Sequence, residues 1–144
     1  MAHDPFYDLF PRREDPPLVA GKIASLTIDM QYLDAHRDGW VGRVAKAAGR
    51  EDIMEPRWQA IDEALPKIRA VQDAFRNANQ EVIHVRVAYR TEDGRDAGRA
   101  HMPTADLEPV ERDERDGDLL PEVAEQGDEM IFSKQGASVF NTTE

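Results

Sequence analysis

The spacing of apolar residues along the chain predicts a strand followed by a long helix. An apolar run at residues 23–28 leads directly into Asp29, as is typical of a buried strand with an acid at its C-terminal end. Between residues 58 and 75, apolar side chains recur every three or four positions, so we expect a helix that begins after Pro56. Pro66 falls inside this helix and predicts a kink or a break there. The apolar face of the helix consists of Trp58, Ile61, Leu65, Ile68, Val71 (or Gln72) and Phe75.

Two more strands are predicted after the long helix. Residues 81–89 form the second strand and residues 129–133 the third, with Lys134 placed just beyond it. A shorter helix is expected at 41–48, and an irregular polar stretch at 90–128 separates the last two strands. The order strand, helix, strand, loop, strand favours an α/β fold with a parallel sheet.

A single domain accounts for most of the chain. The sequence has 144 residues, 40% of them hydrophobic, which suffices for one core that we expect to span residues 22–144. Residues 1–21 are rich in proline and form an N-terminal arm, with Phe6, Tyr7 and Phe10 as possible anchors. No apolar run is long enough to span a bilayer, and the N-terminus lacks the pattern of a secretory signal. We therefore expect a soluble, cytoplasmic protein without a membrane partner.

The net charge of −11 is concentrated in one region. Between Asp106 and Glu129, eleven acidic residues stand against two arginines, Arg112 and Arg115. A protein that binds nucleic acid would carry a basic patch, so nucleic acid is excluded as an expected partner. We expect the acidic stretch to be a solvated surface loop. Because the sequence has no cysteine, disulfides, thiolate metal sites and a nucleophilic thiol are excluded within these residues.

Four charged residues stand at or just beyond the predicted ends of the strands: Asp29, Arg86, Arg90 and Lys134. Ligands of an open parallel sheet bind at the carboxyl ends of its strands. An acid in that position is suited to proton transfer, and a nearby lysine can stabilise negative charge. The structural alternative is that Asp29 caps a turn while Lys134 is an ordinary surface residue. The two arginines can hold a substrate carboxylate or form salt bridges with the acidic stretch.

Three segments resemble, in order and spacing, the isochorismatase-like cysteine hydrolases. They are LTIDMQYLD at 26–34, EVIHVRVAYR at 81–90 and SKQGASVFNTT at 133–143. The first strand of that family ends in an aspartate, a hydrophobic residue and a glutamine, here Asp29, Met30 and Gln31. Its third strand leads to a lysine, here Lys134, followed by a short segment of the Ser-Ala-Phe type.

The resemblance implies a doubly wound parallel sheet and an Asp–Lys–Cys triad. Asp29 would be the base that takes the thiol proton, and Lys134 would orient the site and stabilise the thiolate. The cysteine would attack the carbonyl of a small amide or, less favoured, act on a vinyl ether, and water would release the acyl group. In the family this cysteine follows the fourth strand, some tens of residues beyond Glu144.

The missing thiol leads to an expectation about the chain itself. Only the first three strands of the implied sheet are present, and the other edge of the first strand, which would be central, is uncovered. We expect the chain to be part of a longer protein, or to be completed by a C-terminal segment or another chain that carries the cysteine. Association of several copies is expected as well, because apolar faces remain exposed.

Further residues are predicted around the catalytic pair. Gln31, Tyr32, Trp40, Arg86 and Arg90 are candidates for substrate binding. No cofactor is expected. A metal site is not predicted either, since the remaining histidines do not complete a ligand set with the Asp-x-His pair of the first loop.

Two other classes of function remain open at this point. The first is a non-catalytic relative that binds or scaffolds after losing the nucleophile. The second is an oligomerisation module that uses the aromatic N-terminal arm. The residue found at the strand–helix junction of the complete protein would discriminate between enzyme and binder.

Overall fold

The structure is a computed structural model that describes residues 9, 16–91, 95–96 and 113–142, without the side chains of 141 and 142. The predicted anchors Phe6, Tyr7 and Phe10 and all residues from 97 to 112 lie outside the described residues. The three strands are β1 (Ala24–Ile28), β2 (Glu81–Val87) and β3 (Met130–Lys134). The helices are α1 (Tyr32–Ala35), α2 (Trp40–Ala47), α3 (Glu55–Asn77) and α4 (Val139–Thr142). Short 3-10 turns cover Glu51–Met54, Glu114–Gly117 and Pro121–Val123.

All three strands run parallel in the order β1-β2-β3. This α/β arrangement confirms the predicted fold class, and each strand lies within two residues of its expected bounds. Lys134 is the last residue of β3 and not the first residue after it. Among the described residues β1 pairs with β2 alone, so its other edge is open, as expected. No helix in these parts of the chain is long and apolar enough to cross a membrane.

One face of the sheet, which we call the helix face, packs against α3. Its inward side chains include Ser25, Thr27 and His84, which are all buried. Gln72 of α3 is fully buried and donates one hydrogen bond to Thr27 Oγ1 and one to the carbonyl of Val123, both at 3.0 Å. Polar side chains therefore line this face beside the buried, apolar Val82, and the hydrogen bond from Gln72 offsets part of the desolvation of Thr27.

An ionic cluster closes the helix face where β3 begins. The Glu129 carboxylate receives hydrogen bonds from Arg76 Nε at 2.6 Å and Nη2 at 2.8 Å, and lies 3.0 Å from His84 Nε2. The hydrogen bonds from Arg76, followed by the contact with His84, lower the pKa of Glu129 from 4.5 to about 2. This carboxylate therefore stays ionised in the fold and joins the end of α3 to the start of β3.

The opposite side of the sheet, which we call the open face, is apolar and largely uncovered. The strand register places Leu26 beside Ile83 and Met130, and Ile28 beside Val85 and Phe132, on this side. Leu26 is 54% exposed, Ile28 48%, Met130 43% and Phe132 37%. Toward the carboxyl end the cover improves, because Val87 packs with Leu33 and Trp40.

The long helix differs from expectation at two positions. It runs without interruption from Glu55 to Asn77, so Pro66 does not break it. Ile61 and Ile68, on either side of the proline, both pack against the cluster that contains Leu120. Burial on both sides holds the helix together against the cost of about 3 kcal/mol for an internal proline. Of the two candidates for its inner face, Gln72 is buried and Val71 is exposed.

The acidic stretch is not simply a solvated loop. Within its described part, Leu119, Leu120 and Val123 are buried, and the last two join the core cluster under α3. Asp116 is only 3% exposed, and its carboxylate accepts hydrogen bonds from the backbone of Trp40 and the guanidinium of Arg43. The prediction of a surface loop was wrong for this segment, because apolar residues between the acids anchor it.

Candidate active site

Asp29 stands where the backbone leaves the sheet. Its amide donates a hydrogen bond to the carbonyl of Val85 at 2.9 Å, the last backbone bond between β1 and β2. The φ angle of Asp29 is 57°, in the left-handed region that aspartate tolerates better than most residues. This turn takes the carboxylate out of the strand direction at the carboxyl edge of the sheet.

Lys134 reaches the same edge from β3. Its Nζ donates a hydrogen bond to Asp29 Oδ2 at 2.8 Å and another to the carbonyl of Ala137 at 3.0 Å. The lysine side chain is 3% exposed and that of the aspartate 30%. A buried ammonium has to be paired, and here a carboxylate and a carbonyl both accept from it. The two side chains therefore form an ion pair at the carboxyl edge of the sheet.

The second carboxylate oxygen of Asp29 has a different environment from the one that accepts from Lys134. Asp29 Oδ1 is buried and accepts no hydrogen bond from any described residue. A buried carboxylate oxygen without a donor carries an energetic cost of roughly 1–3 kcal/mol, so it needs an explanation. Chemically, the site offers one oxygen fixed by an ammonium and one oxygen ready to accept a proton.

Gln31 is close to this pair but has no surface for a ligand. It is fully buried, and its Nε2 donates to the carbonyls of Val87 and Asp116, each at 2.8 Å. Its Oε1 accepts from the amide of Val87 at 2.6 Å. All of these hydrogen bonds join Gln31 to other parts of the fold, so its position does not support the predicted contact with a substrate.

Tyr32 and Trp40 are also largely buried. The Tyr32 ring lies under Arg115, whose Cζ is 4.0 Å from the ring centroid, and its hydroxyl accepts from Arg115 Nη2 at 2.6 Å. The ring centroid of His36 is 4.6 Å away on another side. Trp40 packs with Leu33 in the apolar cluster around the end of β2. Packing occupies both aromatic side chains, although Tyr32 directs a polar contact to the acidic segment.

The two predicted arginines lie apart from the Asp29–Lys134 pair. Because side chains alternate along a strand, Arg86 points to the face opposite Lys134, whose register partner is Val87. Its guanidinium donates to Ser133 Oγ at 3.3 Å and to the carbonyl of Gly117 at 3.1 Å. Arg86 and Arg90 border an open cavity of about 320 Å³ along the carboxyl ends of β2 and β3. The pleat therefore turns the Arg86 side chain away from Lys134.

No cluster of three or more metal-ligating side chains occurs in the described part of the chain. The two residues of the Asp-x-His pair considered in the sequence, Asp34 and His36, have other contacts. Asp34 lies 3.6 Å from the Arg57 guanidinium, and the His36 ring lies against the Tyr32 ring at an interplanar angle of 47°.

Sequence reasoning missed the role of Asp116 and Arg43. The carboxylate of Asp116 accepts from Arg43 Nη2 at 2.7 Å and from the backbone amide of Asp113 at 3.0 Å. Asp113 in turn caps the 3-10 turn that begins at Glu114. The spacing of two acids three residues apart is a signal for such a capping box, and it was hidden within a long acidic run.

Comparison with known proteins gives a consistent result. A family model described as the Isochorismatase domain matches residues 24–144. Comparison with curated proteins gives no match.

Two solved structures share the fold, and a third matches more weakly. An isochorismatase family protein from Desulfovibrio vulgaris matches with a TM-score of 0.52 and 21% identity, over 83% of this chain and 56% of that chain. An isochorismatase from Pseudomonas putida matches with a TM-score of 0.51 and 23% identity, over 95% of this chain and 54% of that chain. A cysteine hydrolase from Pseudomonas syringae has a TM-score of 0.44 and 26% identity, over 89% and 55%. The chain thus spans little more than half the length of these structures, and it belongs to the isochorismatase family.

Proposed function

We propose that this chain supplies the base and the lysine of a hydrolase that acts on a small amide, at its C–N bond, or on a vinyl ether. The observation that carries the proposal is the asymmetric Asp29 carboxylate. One oxygen is held by Lys134 at 2.8 Å, and the other is buried without a donor among the described residues. A general base needs a fixed orientation and a free acceptor, and this carboxylate has both.

The reaction proposed for an amide requires a thiol in addition to the pair. Asp29 Oδ1 takes the thiol proton, the sulfur attacks the carbonyl carbon, and the C–N bond breaks as the amine leaves with that proton. Water then gives a proton to Asp29 and attacks the thioester carbon. The C–S bond breaks, the acid is released and the proton returns to the sulfur. Throughout, the ammonium of Lys134 stabilises the negative charge that moves between carboxylate and sulfur.

The thiol has to be contributed from outside these 144 residues, which contain no cysteine. We propose that a complementary segment, in the same polypeptide or a separate chain, adds a strand beside β1 and covers the open face. An open cavity of about 370 Å³ lies between β1 and α3 at this edge, bordered by Leu26, Ile28 and Val71. All three side chains are about half exposed or more, so their burial would favour association.

The substitution Asp29→Asn tests the catalytic proposal in the thiol-containing protein. We expect acyl-enzyme formation, measured by rapid quench and mass spectrometry, to slow by at least about a hundredfold while the fold is retained. Asp52→Asn is the matched control, because the Asp52 side chain is 79% exposed on a 3-10 turn. Near-normal acylation by a folded Asp29→Asn protein would refute the role of Asp29.

A non-catalytic binding or scaffolding subunit is the second candidate, favoured by the absence of cysteine from the sequence. The intact mass and sequence of the natural protein discriminate between the two. A cysteine at a strand–helix junction of the complementary segment supports the hydrolase. Serine, alanine or glycine at that position supports the binding protein.

A further inference from the structure

The backbone changes partners immediately after Asp29. Continuation of the β1 register would place Met30 beside Val87, but Met30 instead accepts a hydrogen bond from the amide of Leu120 at 2.9 Å. Gln31 forms an antiparallel bridge with Leu119, within the acidic stretch. From this point the chain is bonded to that segment and no longer, through its backbone, to β2.

The side chain of Gln31 replaces the lost backbone bonds. Its amide accepts from the N–H of Val87 at 2.6 Å and donates to the carbonyl of the same residue at 2.8 Å. These are the two hydrogen bonds that a neighbouring parallel strand, through two of its residues, would satisfy at the end of β2. The second N–H of the amide, bonded to the carbonyl of Asp116 at 2.8 Å, ties in the acidic segment.

The position of this amide matters because β2 lies between the two charged residues of the site. Lys134 is opposite Val87 in the register and has to pass the end of β2 to reach Asp29 on β1. The spacing between the strand ends therefore sets the distance between ammonium and carboxylate. Gln31 bridges the turn after Asp29 to the residue of β2 that Lys134 pairs with.

We propose that Gln31 is a positioning residue, which holds the end of β2 against the turn after Asp29 so that Lys134 and Asp29 form their ion pair. The significance of that pair for catalysis rests on the proposed function, whereas the positioning itself is a statement about geometry. Gln31 thereby has a role different from the substrate contact predicted from the sequence.

Gln72 provides a matched control on the helix face. It is also a fully buried glutamine, and its Nε2 also donates two hydrogen bonds, at 3.0 Å each. Its partners, Thr27 and Val123, take no part in the site. A general loss of stability would affect both variants, whereas loss of positioning would affect only the Gln31 variant.

The experiment compares crystal structures of the full chain, in the form in which it purifies, as wild type, Gln31→Met and Gln72→Met. We expect the distance from Lys134 Nζ to Asp29 Oδ2 to lengthen from 2.8 Å to more than about 4 Å, the limit of an ion pair, in Gln31→Met alone. An unchanged distance in Gln31→Met, or equal lengthening in both variants, would overturn the proposal. Because no thiol is needed, a protein without hydrolase activity gives the same answer.

A second variant and a wild-type measurement cover the case in which Gln31→Met does not fold. Gln31→Asn keeps the amide but shortens its reach by one methylene, and we expect the same lengthening of the ion pair. In the wild-type protein, hydrogen exchange of the Val87 amide should be slow, like that of central β2 amides. Rapid exchange at Val87 would refute the bridge to Gln31 without any variant.

Discussion

The two faces of the sheet have opposite chemistry. The helix face carries the polar residues Ser25, Thr27 and His84 beside Val82, all of them buried, and a hydrogen bond from Gln72 to Thr27 joins it to α3. The open face presents Leu26 and Phe132 to solvent. A sheet with one solvated side normally turns its polar residues outward, so the observed arrangement is the reverse.

This reversal indicates which face carries stability within the chain and which face is suited to a partner. Hydrogen bonds, ion pairs and close packing already connect the helix face to α3 and to the segment at 113–123. Apolar residues on the open face contribute little while they remain exposed, since they stay hydrated. The catalytic candidate Lys134 belongs to the open side of the pleat, where its register partner is Val87.

Replacing a leucine by alanine in the core cluster and on the open face should give the largest difference in stability between two variants. Leu120 is 1% exposed in the core cluster, whereas Leu26 is 54% exposed on the open face. We expect Leu120→Ala to lower the free energy of unfolding by about 2–5 kcal/mol through lost burial and a cavity. Leu26→Ala should change it by no more than about 0.5 kcal/mol. Urea titration followed by circular dichroism measures both, and equal costs would contradict the contrast between the faces.

The ionic cluster of the helix face predicts a sensitivity to acid. Because Arg76 holds the pKa of Glu129 at about 2, below its ordinary value of 4.5, the ionised carboxylate stabilises the fold. A shift of this size corresponds to about 3 kcal/mol, fully present above about pH 4.5 and lost as the pH falls toward 2. Glu129→Gln should be less stable near neutral pH but lose less stability on acidification.

Urea unfolding at about pH 6 and about pH 3 measures this dependence. Asp128→Asn, which alters an exposed neighbouring acid, is the control and should retain the slope of the wild type. The assignment to Glu129 is wrong if Glu129→Gln loses as much stability between the two pH values as the wild type.

A charge introduced on the open face should have the smallest effect on the stability of the chain. It should instead weaken binding of the proposed complementary segment. We expect Leu26→Lys to leave the free energy of unfolding within about 0.5 kcal/mol of the wild type. Binding of the complementary segment should weaken at least about tenfold, because the lysine would be buried without a partner. Isothermal titration with the segment that carries the thiol measures the change. Unaltered affinity would mean that the segment binds elsewhere.

Much of the fold and of the Asp29–Lys134 pair was predictable, because each part has a local signal. The apolar run before Asp29 and the alternation along β2 gave the strands, and the periodicity of α3 gave the helix. The ends of parallel strands meet at one edge, so the proximity of Asp29 and Lys134 followed from the topology. The break predicted at Pro66 does not occur, because apolar packing on both sides of the proline outweighs its tendency to interrupt a helix.

Other parts of the site had no local signal. Gln31 resembles a surface residue of a loop, yet its amide is buried between Val87 and Asp116. The acidic residues around Asp116 predicted a solvent-exposed segment. Leu119 and Leu120 are nevertheless buried, and Leu120 joins the core cluster. Arg86 appeared to be at the site because it lies near a strand end, but the pleat turns it to the opposite face.

The sequence by itself determined the three strands, the long helix, the parallel direction of the sheet and the residue types at its edge. Only the tertiary structure decided which side chains meet. Periodicity fixes the face that each element buries, since it arises from backbone geometry over a few residues. Partner choice depends on contacts between distant positions: Lys134 and Asp29 are 105 residues apart, and Gln31 and Asp116 are 85 apart. Those distances in the chain are closed by packing of the core, which no short stretch of sequence encodes.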